Sequence, residues 1–185
     1  LELRHGQSKL AGALAVSARL HHPHRPRARL LTFDPDGQGR LVLAIGDPAT
    51  ADHVLVYVPG MTHSLSLARY GVWRADALYE AMRAQARPGE TVAVVYWLGY
   101  HPPAGLRGAS FRTAARSGTR ALDAELHRLR AVHSGPMHLT VVGHSYGSLL
   151  SGVTAAEFGL PIDDLVLIGS PGVGANGARR RRDRP

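Results

Sequence analysis

Residues 143–147 read Gly-His-Ser-Tyr-Gly. The apolar run "HLTVV" precedes them and the helix-like stretch "SLLSG" follows. A serine between two glycines at a strand-to-helix turn is the G-x-S-x-G arrangement, which lifts a nucleophilic hydroxyl above the carboxyl edge of a sheet. The spacing has a steric cause. The turn is so sharp that a side chain two residues before or after the serine would collide with neighbouring backbone, hence Gly143 and Gly147. The same turn aims a helix N-terminus at the reaction centre, where its dipole favours negative charge. Five residues alone are a weak pattern, since an N-cap serine in a Gly/Ser-rich turn would also produce them. The strand before and the helix after supply the required context. Ser145 is therefore the candidate nucleophile, with Gly143 and Gly147 as the elbow glycines.

Acyl transfer at a serine needs two backbone donors for the oxyanion. One is expected from the residue after the nucleophile, Tyr146. The other is expected from the loop after "HVLVYVPG", which continues "MTHS". Gly60 lets the backbone turn toward the site, so Met61 N–H is the expected donor and Thr62 the reserve. A plain strand-ending turn would also use that glycine. His63 and His101 lie just past the ends of two buried strands, on the face where Ser145 emerges; with Thr62 they are expected to line the cleft, and either histidine is close enough in the chain's layout to be weighed as a substitute base. His144 adjoins the serine, but its side chain leaves the elbow in another direction.

The elements that must position these residues follow from periodicity. Residues 8–20 are Ala- and Leu-rich and read as a short helix. "HHPHRPR" (21–27) reads as a basic linker, with two prolines blocking regular structure. "RLLTFD" and "RLVLAIGD" read as strands joined by "PDGQG", an antiparallel hairpin. Then "HVLVYVPG", "TVAVVYWLGY", "HLTVVG" and "DDLVLIGS" read as strands buried on both faces. Between them, 73–86, 113–132 and 146–158 carry helical patterns, the first with Trp73, Ala77, Leu78, Ala81 and Met82 along one side. Alternating strands and helices imply right-handed βαβ units and a mostly parallel sheet.

The string of pieces "LLTFDPDGQGRLVLAIGDPATADHVLVYVPGMT", "RADALYEAMRAQARPGETVAVVYWLGYHPP", "HLTVVGHSYGSLLSG" and "DDLVLIGSPGVG" resembles the α/β-hydrolase fold. More narrowly, it resembles a family of uncharacterised α/β-hydrolase domains of GC-rich bacteria, over residues 30–174. The resemblance implies an α/β three-layer sandwich, a mostly parallel sheet opened by an antiparallel hairpin. It implies a serine hydrolase of undefined substrate, acting on an ester or amide, without metal or other cofactor. It carries over Ser145 as nucleophile and the Met61 and Tyr146 amides as the oxyanion hole. The expected organisation is an N-terminal helix and linker at 1–27, the hydrolase domain at 28–174, and a basic tail at 175–185.

One departure stands out. The fold's triad runs serine, acid, histidine, yet of the eleven histidines the last is His144. The acids that follow are Glu157, Asp163, Asp164 and Asp183, none placed at the catalytic end of a strand. The expectation is a hydrolase domain truncated at its C-terminus, missing strands, acid and base, and so impaired. The alternative is a non-catalytic α/β binding module that keeps the elbow as a relic.

Composition narrows the remaining classes. The chain of 185 residues has a net charge of +8, but residues 31–178 hold eleven basic and twelve acidic residues, so the charge sits at the ends. Lys9 is the only lysine among 22 cationic residues, a bias expected of GC-rich coding and not of a phosphate-binding surface. No nucleic-acid partner is expected. "GVGANG" (172–177) mimics a dinucleotide fingerprint but lacks the helix and acidic residue that should follow. "HHPH" reads as linker, not as a metal site. The chain has no cysteine, and no apolar run approaches the roughly 18 residues of a membrane span. Without a convincing signal peptide, a cytoplasmic, membrane-free protein is expected. "DLVLIGS" should form an exposed apolar edge strand, which templates pairing between chains. The chain is therefore expected to self-associate as its concentration rises. Sedimentation showing a clean monomer throughout, with a cooperative melt, would contradict this.

Overall fold

The structure is a computed structural model that describes residues 2–102 and 110–172. The expected tail at 175–185, most of the "GVGANG" run and much of the loop after His101 lie outside the described residues. The chain runs α1 (Glu2–Leu20), β1 (Ala28–Asp34), β2 (Arg40–Ile45), β3 (His53–Val58), a one-turn 3-10 helix (Leu65–Leu67), α2 (Ala68–Gln85), β4 (Val92–Leu98), α3 (Ser110–Val132), β5 (His138–His144), α4 (Tyr146–Phe158) and β6 (Asp164–Ile168). One six-stranded sheet has the order β1-β2-β4-β3-β5-β6. β4, β3, β5 and β6 are parallel, and β2 pairs antiparallel with both β1 and β4. The hairpin and the parallel run agree with the sequence reading. The seam between β2 and β4 is decided only in three dimensions, because β4 inserts between two strands that are neighbours in sequence.

Strand alternation splits the core in two. Val54, Val56 and Val58 of β3, with Ala93, Val95 and Trp97 of β4, face Leu122, Leu126 and Leu129 of α3 and Leu149 and Leu150 of α4. Leu55 and Tyr57, with Val94, Tyr96 and Leu98, face Val16 of α1 and Ala68, Val72 and Ala75 of α2. The result is three layers: α1 and α2, the sheet, α3 and α4.

Three readings need correction. α2 begins at Ala68 instead of Trp73, because its buried face is made of small residues, Ala68, Gly71 and Ala75 with Val72. Gly71 looks like a helix breaker in sequence. Here it leaves room for Tyr96, whose Cζ would lie 2.1 Å from a Cβ at that position. Trp73, expected on the apolar side, is instead exposed. β6 is not buried on both faces: Leu165 packs on the core while Val166 and Ile168 are exposed, because β6 lies at the edge of the described sheet.

α1 is longer than the 8–20 reading and is fixed to the sheet's first face. Gly12 packs on the Leu65 carbonyl, and Val16 joins the core. Arg19, only 5% exposed, donates to Asp76 at 2.8 Å and to the Pro26 carbonyl at 2.9 Å. Arg25 reaches Asp76 at 2.6 Å, which ties the proline-rich 21–27 segment down as well. Breaking a buried pair leaves one charge uncompensated. Asp76→Ala is thus expected to destabilise the fold by about 3 kcal/mol, and Arg25→Ala, at the exposed end, by at most about 1 kcal/mol. Urea denaturation of the two variants checks the contrast.

Candidate active site

Between β5 and α4 stands one residue, Ser145, with φ 53 and ψ −122. This is a conformation that L-residues rarely adopt, and it stores roughly 1–3 kcal/mol. Its surroundings hold it there. Ser145 N–H donates to the Ile168 carbonyl at 2.8 Å, so β6 fixes the elbow along with β5 and α4. A Cβ at Gly143 would lie 2.7 Å from Ser148 Cα, and one at Gly147 would lie 2.2 Å from the Val58 carbonyl oxygen. The steric reading of both elbow glycines therefore has its partners: Gly143 packs on the first turn of α4, and Gly147 on the end of β3.

A third glycine completes the arrangement. A Cβ at Gly60 would lie 2.9 Å from Ser145 Cβ and 3.3 Å from its Oγ. The loop after β3 therefore runs directly against the serine, and Met61 is the next residue along. Met61 is half-buried and packs against the α3/α4-side core. Thr62 is exposed, carries a positive φ of 63, and its hydroxyl donates to the Met61 carbonyl at 2.6 Å. Tyr146 opens α4, which puts its N–H at the positive end of the helix. Its ring is fully buried, and burial pushes its hydroxyl up to about 12.

An aromatic column supports this loop, and sequence reasoning missed it. Trp97 stacks on Tyr100 at 5.8 Å, and Tyr100 stacks on Tyr146 at 6.2 Å. The buried Tyr100 hydroxyl donates to the Pro59 carbonyl at 2.8 Å, one residue before Gly60. The available signal was the aromatic cluster "YWLGY", which reads as a buried strand unless its polar tips are asked for partners.

The histidines part company. His63 lies beside Tyr96, with Nδ1 3.4 Å from the hydroxyl, and close enough to His144 for their charges to interact. His144 is half-buried on the α1/α2 side, with its Nδ1 buried and unpartnered. His101 is exposed and drawn over the β1–β2 turn: a Cβ at Gly37 would lie 3.3 Å from its ring. β2 is three places along the sheet from β5, so the structure groups His63 and His144 and leaves His101 at another stretch of the edge.

The acids lie elsewhere. Asp163 accepts from Leu139 N–H and from Arg130, each at 2.7 Å, and Asp164 pairs with His138 at 2.7 Å. All of these sit at the amino ends of β5 and β6. The other carboxylate–histidine pairs within 4 Å among the described residues, His53–Glu90 and His127–Asp123, lie at the start of β3 and on α3.

A three-layer sandwich with a strained serine between a parallel strand and a helix, and with the loop of the neighbouring strand β3 pressed on it, defines the α/β-hydrolase class. The chain belongs to the alpha/beta hydrolase family whose model matches residues 34–182. An uncharacterized protein of Mycobacterium tuberculosis is 36% identical over 154 residues, which is 77% of this chain and 23% of that protein. An uncharacterized protein of Mycobacterium bovis is 34% identical over 157 residues, 80% of this chain and 59% of the other. The chain thus spans between about a quarter and three-fifths of the length of these relatives. Among solved structures, it is similar to a fungal esterase of Rhizomucor miehei, at 17% identity and TM-score 0.48, over 91% of this chain and 50% of that one. It is also similar to the thioesterase domain of the curacin biosynthetic pathway, at 14% identity and TM-score 0.44, over 78% and 44% of the two chains. Among the described residues no helix is long and apolar enough to cross a membrane.

Two expectations follow from the geometry. Glycine adopts the Ser145 backbone conformation without penalty, so Ser145→Gly should raise stability by about 1 kcal/mol in urea while removing the hydroxyl. The second concerns pH. Burial, then His144 and Arg74, hold His63 below its ordinary value of 6.5; burial, then Arg74, do the same for His144. The unfolded chain takes up protons near 6.5 that the folded chain refuses. Stability should therefore be full above pH 6.5 and fall as pH drops from there through the lowered folded values. Urea midpoints compared at pH 7.5 and 5.5 should show this loss, and the double variant His63→Gln/His144→Gln should flatten it.

Proposed function

We propose that this chain is a serine hydrolase domain acting on an ester or amide, with Ser145 as nucleophile. The observation that carries the proposal is the contact of Gly60 with Ser145. A strained serine pressed against the loop that carries Met61 is what an acyl-transfer site requires and what a structural N-cap does not. Ser145 Oγ attacks the acyl carbon and its proton passes to a base. The carbonyl oxygen becomes an oxyanion that accepts from the Met61 and Tyr146 amides. Collapse expels the alcohol or amine, which takes the proton. Water then hydrolyses the acyl-serine to release the acid and regenerate Ser145.

The base is the weak point. The fold's triad order calls for an acid and a histidine after the serine, and no histidine follows Ser145 in this sequence. The proposal therefore includes an incomplete triad within these 185 residues, and so slow turnover by this chain. Removing a triad member typically leaves about 10³–10⁴-fold catalysis over water, through the oxyanion hole and binding. Slow turnover of an activated aryl ester and weak fluorophosphonate labelling at Ser145 are expected, both abolished by Ser145→Ala. Labelling located by peptide mass spectrometry checks the nucleophile. Full enzymatic turnover by the 185-residue chain would show that the triad is complete. No labelling and no turnover, with reversible binding of an acyl ligand, would favour the binding module.

A further inference from the structure

The loop against Ser145 continues through Thr62 to His63, and the serine chemistry above leaves that ring unused. His63 Nδ1 lies 3.4 Å from the Tyr96 hydroxyl, with the two rings 6.5 Å apart. Tyr96 is fully buried. Tyr57 stacks on it at 6.2 Å, and α2 closes over its hydroxyl end at Gly71, where a Cβ would lie 2.4 Å from the oxygen. Burial, and then the neighbouring Tyr57, hold the Tyr96 proton on its oxygen far above the ordinary phenol range. A buried hydroxyl proton goes to an acceptor. Among the described residues the one acceptor in reach of Tyr96 is His63 Nδ1. When Nδ1 of a neutral imidazole accepts, the ring proton is on Nε2.

The geometry points to Tyr96 as the residue that fixes His63 in its Nε2–H tautomer, so that His63 anchors the oxyanion loop as a positioning residue instead of serving as the base for Ser145. A base must offer a lone pair to the serine proton. Here one ring nitrogen is engaged by Tyr96 and the other carries hydrogen. The groups acting electrostatically on the ring are His144 from β5 and Arg74 from α2. Neither is a carboxylate, so neither favours an imidazolium.

The anchoring has a counterpart on the other side of the sheet. Tyr100, four residues after Tyr96, donates to the Pro59 carbonyl from the α3/α4 side. Tyr96 holds His63 from the α1/α2 side. Two tyrosines at the end of β4 thus clamp residues 59–63 at both ends, with Gly60, Met61 and the strained Thr62 between them. A residue at φ 63 persists only where its neighbours over-determine it.

The catalytic meaning rests on the hydrolase reading, but the tautomer can be read without activity. Long-range ¹H–¹⁵N imidazole spectra of the full chain, with His63 assigned by its loss in His63→Asn, should show the Nε2–H pattern between pH 6 and 8. Tyr96→Phe should give a mixed tautomer. Tyr57→Phe, which removes a neighbouring hydroxyl that has no partner, should leave the pattern alone. Fluorophosphonate labelling of Ser145 should slow roughly 10- to 100-fold in His63→Phe, as expected of a displaced loop. It should recover substantially in His63→Asn, whose amide oxygen can replace Nδ1. An Nδ1–H pattern in the wild type, or no change in Tyr96→Phe, overturns the assignment. Loss of labelling in His63→Asn as complete as in His63→Phe makes His63 the base and overturns it too. If wild-type Ser145 does not label at all, the hydrolase reading fails, while the spectra still decide the tautomer.

Discussion

Ser145 ends a strand and starts a helix within a single residue, in a conformation that costs roughly 1–3 kcal/mol. Much of the surrounding architecture serves to hold it. The Ile168 carbonyl takes its N–H. The absent side chains at Gly143 and Gly147 let α4 and the end of β3 close on the elbow, and the absent one at Gly60 lets the next loop touch the serine. Each contact comes from a different element, so the hydroxyl's position depends on β3, β5, β6 and α4 being packed together. A local turn could not hold that conformation alone.

The loop opposite the serine presents the same problem in milder form. Residues 59–63 must stay close to Ser145 while passing through Thr62 at positive φ. β4 supplies the restraint. Its alternation sends Tyr96 to the α1/α2 layer, and Tyr100, just beyond its end, enters the opposite layer. Each hydroxyl takes hold of the loop from its own side. Buried hydroxyls carry a penalty of about 1–3 kcal/mol when unpaired, so the fold favours the loop position that satisfies them. Tyr57, whose hydroxyl has no partner, shows that proximity alone does not provide one.

The sequence reading was sound wherever the signal was local. The serine between glycines gave the elbow, the nearly continuous apolar runs gave β3, β4 and β5, and the Asp-Gly turn gave the β1–β2 hairpin. It failed where a residue's role depended on what lay opposite. The first turn of α2 buries only small residues and Val72, with Gly71 against Tyr96, so the apolar pattern becomes visible only from Trp73 onward. Trp73 reads as core and is exposed. His63 and His101 occupy equivalent places after consecutive parallel strands, yet one lies beside Tyr96 and the other over Gly37. Nothing in their local sequence separates them.

By itself the sequence determined the fold class and the place of Ser145 at a strand-to-helix elbow, because runs of apolar residues and the steric demands of a tight turn are properties of neighbouring residues. It also determined that all eleven histidines of this sequence precede the serine, since chain order is fixed before folding. Only the tertiary structure decided that β4 inserts between β2 and β3, that β6 contributes to the elbow, and that Gly60 touches Ser145. Only the tertiary structure decided that Tyr96 and Tyr100 grip the loop from opposite faces. These depend on contacts between residues distant in sequence. Their energies come from burial and hydrogen-bond satisfaction, which have no value until the layers are assembled.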